Sequence, residues 1–166
     1  MGKRLTIGQK IVHCRYGAGI VVGVRKGGTD EKSESYYIID IPSSDLKVHL
    51  PMSATQQTNL RKISSKRKMK HALGILSEEP FELPKDYRER RSFIQELLKD
   101  GAIDSLAQVI RDLSALQSRK SMSSVELALL TNAKRRMAGE LALVSNIDLP
   151  EAMQRIESAL RKNEAP

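Results

Sequence analysis

Tryptophan is absent from the 166 residues, aromatics amount to only 4%, and cysteine occurs once. Each scarcity excludes something. So few rings argue against the platforms on which RRM sheets and single-strand OB grooves stack successive bases. The lone Cys14 cannot close an intramolecular disulfide or build a cysteine metal cage, and His13, His49 and His71 lack ligand-like spacing, so no zinc motif is present. No apolar run approaches the ~18 residues of a membrane span, and no apolar h-region follows the basic start. A cytoplasmic, nucleoid-associated protein without a membrane partner is expected.

Positive charge, by contrast, is plentiful. Lys and Arg number 28 against 20 acidic residues, a net charge of +8. That excess suits a polyanionic partner, and contacts to duplex phosphates stay open.

The hydrophobic period changes along the chain, which predicts an α+β protein. Residues 1–63 read as β: QKIVHC at 9–14, GAGIVVGVRKG at 17–27, SYYIIDIP at 35–42, LKVHLP at 46–51 and a short run at 59–63 are alternating or β-branched stretches between Gly, Asp and Ser clusters. Five short strands with no helical pattern between them predict a small curled sheet or SH3/Tudor-like β-barrel. Residues 66–166 read as a helical domain of four or five helices. A basic stretch at 65–76 stops before Pro80 and Pro84; helices are then expected over 85–99, ending at Gly101, and over 102–118. In the latter, Ile103, Leu106, Ala107, Ile110, Leu113 and Leu116 form an apolar stripe that leaves Gln108, Arg111 and Ser118 outside it. Ser123 with Glu126 has capping-box spacing and opens a long helix, and Asp148 with Pro150 opens the last.

Three basic groups stand out. RKISSKRKMK at 61–70 carries six cations and no acid, and reads equally well as a phosphate track or a solvated first turn. Lys134, Arg135 and Arg136 fan around their helix by ~100° per position, so at least one faces outward. Arg88, Arg90 and Arg91 are interleaved with Asp86 and Glu89, which favours solvated pairing. Gly17, Gly19 and Gly23 lie in a strand pattern without the lysine of a P-loop; they read as bends or bulges, and no nucleotide cofactor is expected. For catalysis the candidates are poor. His13 and Cys14 are strand neighbours and point to opposite faces, Cys14 reads as a packing residue, and His49 alternates with Val48 and Leu50 on an exposed face. A hydrolase or transferase using these residues is the weaker rival, and the protein is expected not to be an enzyme.

The order of elements resembles the CarD/CdnL regulators of bacterial RNA polymerase. The likeness rests on IGQKIVHCRYGAGIV near the start, YYIIDIPSSDLKVHLP, the NLR of Asn59–Arg61, VIRDLS at 109–114 and AKRRMAGELAL at 133–143. It implies a Tudor-like module that docks on the RNA polymerase β-subunit lobe, and a helical module against promoter DNA near the upstream edge of the −10 element, favouring the melted promoter. The family's polymerase-facing arginines fall at or beside Gly27, where Arg25 and Lys26 are the nearest substitutes, and on His49. Ser114 occupies the slot where the resemblance implies a wedging tryptophan. A serine cannot offset unstacking as an apolar wedge does, although its hydroxyl can bond a phosphate or a minor-groove acceptor. Leu116, Met122 and the segment 118–124 are the local substitutes. Arg119, Lys120 and Lys134 match or neighbour the family's basic DNA face, and with Ser114 they are the expected DNA contacts. The rival within this likeness is an adaptor whose helical domain meets protein instead of DNA. No oligomeric state follows from the sequence.

Overall fold

The computed structural model describes residues 4–30, 32–56 and 60–162 and shows an antiparallel five-stranded sheet followed by five helices, an α+β fold as expected. The strands are β1 (Lys10–His13), β2 (Gly17–Lys26), β3 (Ser35–Ile41), β4 (Leu46–Pro51) and β5 (Leu60–Lys62), ordered β4-β3-β2-β1-β5. Asn59, the first residue of the NLR segment, lies outside the described residues. Alternation decides the two faces. Ile11, Val21, Tyr37, Ile39, Ile41 and Leu50 point inward and form the sheet's own core. A bulge between Val21 and Gly23 shifts the register, so the glycine does mark an irregularity of β2.

The opposite face is divided. Cross-strand partners Val12 and Ala18 are buried although they stand outside the sheet's core cluster, at the end where α4 (Ser124–Ser145) packs on β2. Toward the other end, Gly23↔Ile38↔His49 and Arg25↔Tyr36↔Pro51 form two rows that no helix buries, with Arg25 and His49 exposed.

The remaining helices are α1 (Lys66–Leu76), α2 (Tyr87–Leu98), α3 (Ile103–Arg119) and α5 (Leu149–Arg161). Side chains cap their starts: Asp148 accepts from Glu151 N where the sequence placed a helix start, Ser65 accepts from Lys68 N, and Asp86, read from the sequence as a partner of the neighbouring arginines, accepts from Arg88 N and Glu89 N. Ser123 and Glu126 form the full capping box, and α4 ends on Asn146 in the left-handed region, φ 52°. The α3 stripe is buried as read, with Ile103, Ala107, Ile110 and Leu113 closed to solvent.

Two expectations about cations fail for one reason. Arg111, placed off the stripe, and Arg90, placed among solvated pairs, are both buried. The proline-bearing stretch 79–85 lies over them: the Phe81 ring covers the Arg111 guanidinium at 4.8 Å, and Arg90 Nη1 donates to the carbonyls of Pro84 and Lys85. Each burial is compensated by a carboxylate, Asp112 for Arg111 at 2.8 Å and the cap residue Glu126 for Arg90.

Sheet and helices meet in a polar seam. Glu140, on α4 and only 1% exposed, accepts from Arg61 Nη1 and Nη2 at 2.7 and 2.6 Å and from the Ser64 amide and hydroxyl at 2.9 and 2.6 Å. Arg61 Nε also donates to the Gly101 carbonyl. Arg61 therefore belongs to the seam, while Lys62, Lys66, Arg67, Lys68 and Lys70 of the same cluster are exposed. Arg136 donates to the Cys14 carbonyl, and Lys10 Nζ to the Leu143 carbonyl. Close approach completes the seam: a Cβ on Gly139 would stand 2.8 Å from Ser43, and one on Gly101, φ 64°, 2.2 Å from Cys14 Sγ. Cys14 is thus a packing residue against the α2–α3 loop.

Candidate nucleic-acid interface

The C-terminal half of α3 turns its outer side to three adjoining clefts. The first, about 210 Å³, lies between α3 and the stretch 80–85, with Phe81, Leu116, Arg119 and Lys120 on its walls and Asp112 among its lining. The second, about 360 Å³, shares Pro80, Ala115 and Arg119 with the first and adds Arg111 and Ser114. The third, about 470 Å³, shares Ser114, Ser118 and Leu160 with the second and is bounded by Lys134, Glu157 and Arg161. Ser114, Arg119 and Lys120 along the end of α3 and Lys134 on α4 therefore border one continuous surface.

Their environments differ. Arg119 and Lys120 are exposed at the end of α3. Lys134 is half-buried and paired with Glu157 at 2.7 Å, so part of its charge is already answered. Ser114 is half-buried, and its hydroxyl is enclosed with no hydrogen-bond partner among the described residues. Leu116 and Met122 pack against the helical core, and Leu116 reaches the wall of the first cleft with only part of its side chain. The freely presented apolar side chain here is Phe81, 67% exposed. Sequence reasoning passed over it, although EEPFELP holds an aromatic between two prolines in an otherwise acidic run.

On the sheet, Arg25 and His49 share the open face, offset by one row across β3, whereas Lys26 pairs with Ser35 and takes the other side. The three residues expected to meet polymerase are thus two on one face and one on its reverse. The hydrolytic pair dissolves. His13 Nδ1 accepts from the amides of Arg15 and Tyr16. Burial and the cations Arg136 and Arg15 hold the imidazole below its ordinary pKa of 6.5. Cys14 Sγ faces Gly101. No cluster of His, Cys, Asp and Glu fit to hold a metal occurs among the described residues, and no described helix is long and apolar enough to cross a membrane.

Carboxylates that fix this frame titrate low. Burial by itself would raise Glu140, yet the Arg61 guanidinium and the Ser64 donors outweigh it and hold the carboxyl below 4.5. Glu126 behaves alike, burial being overcome by Arg90 and the Ser123 cap.

Comparison with known proteins matches both halves of this architecture. Residues 5–64 match the family described as "CarD-like/TRCF RID domain", and residues 71–157 match "CarD, C-terminal domain". A protein of Bacillus subtilis (strain 168) named "Putative transcription factor YdeB" is 27% identical over 141 residues, covering 85% of this chain and 92% of its own length. With the two matched regions in the family's order and the C-terminal one alone spanning more than half the sequence, the chain belongs to the CarD family.

Proposed function

We propose that the protein is a non-enzymatic regulator of transcription that binds RNA polymerase through its sheet module, residues 1–63, and promoter DNA through its helical module, residues 66–166. The observation that carries this reading is the continuous surface over α3, where Ser114, Arg119, Lys120 and Lys134 converge. Cations along a groove favour phosphates, and each phosphate neutralised releases counterions. The open sheet face with Arg25 and His49 supports docking on the polymerase β-subunit lobe; the short β4 edge beside it leaves backbone groups unpaired. Docking raises the local concentration of the helical module at the upstream edge of the −10 element, so individually weak DNA contacts suffice. Open-complex stability then shifts by the difference in affinity for melted and closed promoter.

The test uses the full chain, RNA polymerase and forked promoter DNA over a salt series. Retention of forked DNA should improve when the protein is added and lose that improvement as salt rises. Polymerase binding without any effect on DNA at any salt would replace this reading with the adaptor, in which the helical module meets protein. No polymerase binding at all would remove both.

A further inference from the structure

The cleft between α3 and the stretch 80–85 has an unusual polarity. Its floor carries a carboxylate, Asp112, only 3% exposed; its wall carries an aromatic ring, Phe81; its rim carries Lys85, Arg119 and Lys120. Both hydrogen bonds that Asp112 accepts, from the Phe81 amide at 3.0 Å and Arg111 Nε at 2.8 Å, end on Oδ1. Oδ2 has no donor among the described residues, yet it is not among the enclosed unpartnered atoms, so it keeps contact with the cleft. A ligand seated here must offer a hydrogen-bond donor at its inner end, an apolar plane at its middle and negative charge at its outer end. A phosphate cannot enter first, because the carboxylate repels it. A nucleotide with its base inward meets all three demands.

Resting on the nucleic-acid reading above, we propose that this cleft receives one unstacked base that carries an exocyclic amine (adenine, cytosine or guanine, not thymine) of a locally opened DNA strand. Phe81 stacks on the base, Asp112 Oδ2 accepts from its exocyclic amine, and Arg119, Lys120 and Lys85 meet the flanking phosphates. Carboxylates accept from such amines in other base readouts. At about 210 Å³ the cleft is smaller than the ~300 Å³ at which drug-sized sites begin, a scale for one ring system and not for a stacked run. One ring serving one base is also all that a chain with 4% aromatics can provide here. Preorganisation favours the contact. The Phe81 amide is tied to Asp112, one face of the ring rests on the Arg111 guanidinium at 4.8 Å, and prolines 80 and 84 flank it, so little freedom is lost when a base lands on the outer face.

The experiment uses the full chain with RNA polymerase and a forked promoter duplex carrying a single unpaired 2-aminopurine, scanned through the open segment. At one position its emission should rise on addition of the wild type, as the base leaves its stack, and Phe81→Ala should abolish the rise. Unpaired adenine or cytosine at that position should bind about 5- to 100-fold more tightly to wild type than to Phe81→Ala, the range of one base–aromatic stack. Thymine or an abasic site should bring wild type down to the variant. Most of Phe81 is exposed, so its removal should lower thermal unfolding only modestly, through loss of its ring contact with the buried Arg111, and the fold is kept in the binding assays; Phe81→Leu, which keeps apolar bulk without the ring, should fall between in base affinity. Equal affinity of wild type and Phe81→Ala, or an equal loss on fully paired duplex, overturns the proposal while leaving the DNA reading intact. No binding of wild type to any DNA overturns both. Displacement of the fork by micromolar dAMP or dCMP would assign the cleft to a free nucleotide and overturn the strand as its ligand.

Discussion

The two modules are stabilised in different ways. Among the described residues the helical part buries one extended core that draws on all five helices, from Met69 to Leu160, whereas the sheet's core cluster comprises Ile11, Val21, Tyr37, Ile39, Ile41 and Leu50. A fully buried aliphatic side chain contributes ~1.5–3 kcal/mol, so six residues leave little margin over the entropy of ordering five strands. What the sheet lacks in core it gains from the seam: Arg61 on β5, Lys10 on β1 and the Cys14 turn all bond to α4 or to the loop before α3. Only residues 63–65 separate β5 from α1, and Ser64 among them is held by Glu140. The difference teaches that the sheet is an appendage whose stability and orientation are set by the helical module.

The largest expected effect therefore lies at the seam. Glu140→Leu leaves the half-buried Arg61 and the buried Ser64 donors without their shared acceptor, while Arg61 keeps its bonds to the Gly101 and Lys62 carbonyls, and should cost ~2–3 kcal/mol. Hydrogen exchange should show the strands losing protection before α3 and α5; uniform loss over both modules would contradict the dependence of one on the other. Gly101→Ala comes next. Its Cβ meets Cys14 Sγ, and the left-handed φ adds strain, for about 1–3 kcal/mol by denaturant melts. Cys14→Ala in the same chain should return part of that loss, because one of the two causes is then removed.

Acidification probes the same comparison more gently. Glu140 and Glu126 both titrate below 4.5, so the stability they contribute is complete above that pH and is lost as pH falls through their lower folded values. His13, held below 6.5, adds a loss that begins as pH drops under that value, since the unfolded chain takes up the proton first. Urea midpoints measured from neutral pH down to the acid limb should fall accordingly, and Glu140→Gln should flatten the lower part of the curve. The smallest effects belong to the surface. Arg119→Glu should weaken the ternary complex with polymerase and DNA and lower the salt slope by about one, with polymerase binding unchanged. Lys134→Glu should do less, because Glu157 already partners that amine. Equal loss of polymerase binding would erase the division of labour between the modules.

Much of this was legible in the chain. Period-2 runs and Gly/Asp/Ser breaks located the strands to within a residue or two, and Ser123 and Asp148 marked helix starts, because caps and alternation are local physics. The cations were harder to read. In sequence Arg61, Arg90, Arg111 and Arg136 look like the exposed Lys66, Arg88 and Arg119, yet the first four are drawn inward by carboxylates or carbonyls from elements 36 or more residues away or by the chain folding back over them. Ser114 shows the same limit, its hydroxyl being enclosed by neighbours that no spacing along α3 reveals.

The sequence by itself determined the order of strands and helices, the excess of positive charge and the absence of a metal motif, since each depends on composition or on residues within one turn of each other; that the helices number five and not four was left to the structure. Tertiary structure decided which charges are structural and which are free, and that the stretch bearing Pro80 and Pro84 meets α3, with the Phe81 ring over Arg111 and its amide on Asp112. Those outcomes follow from desolvation and close approach between distant segments, which have no counterpart in the linear order of residues.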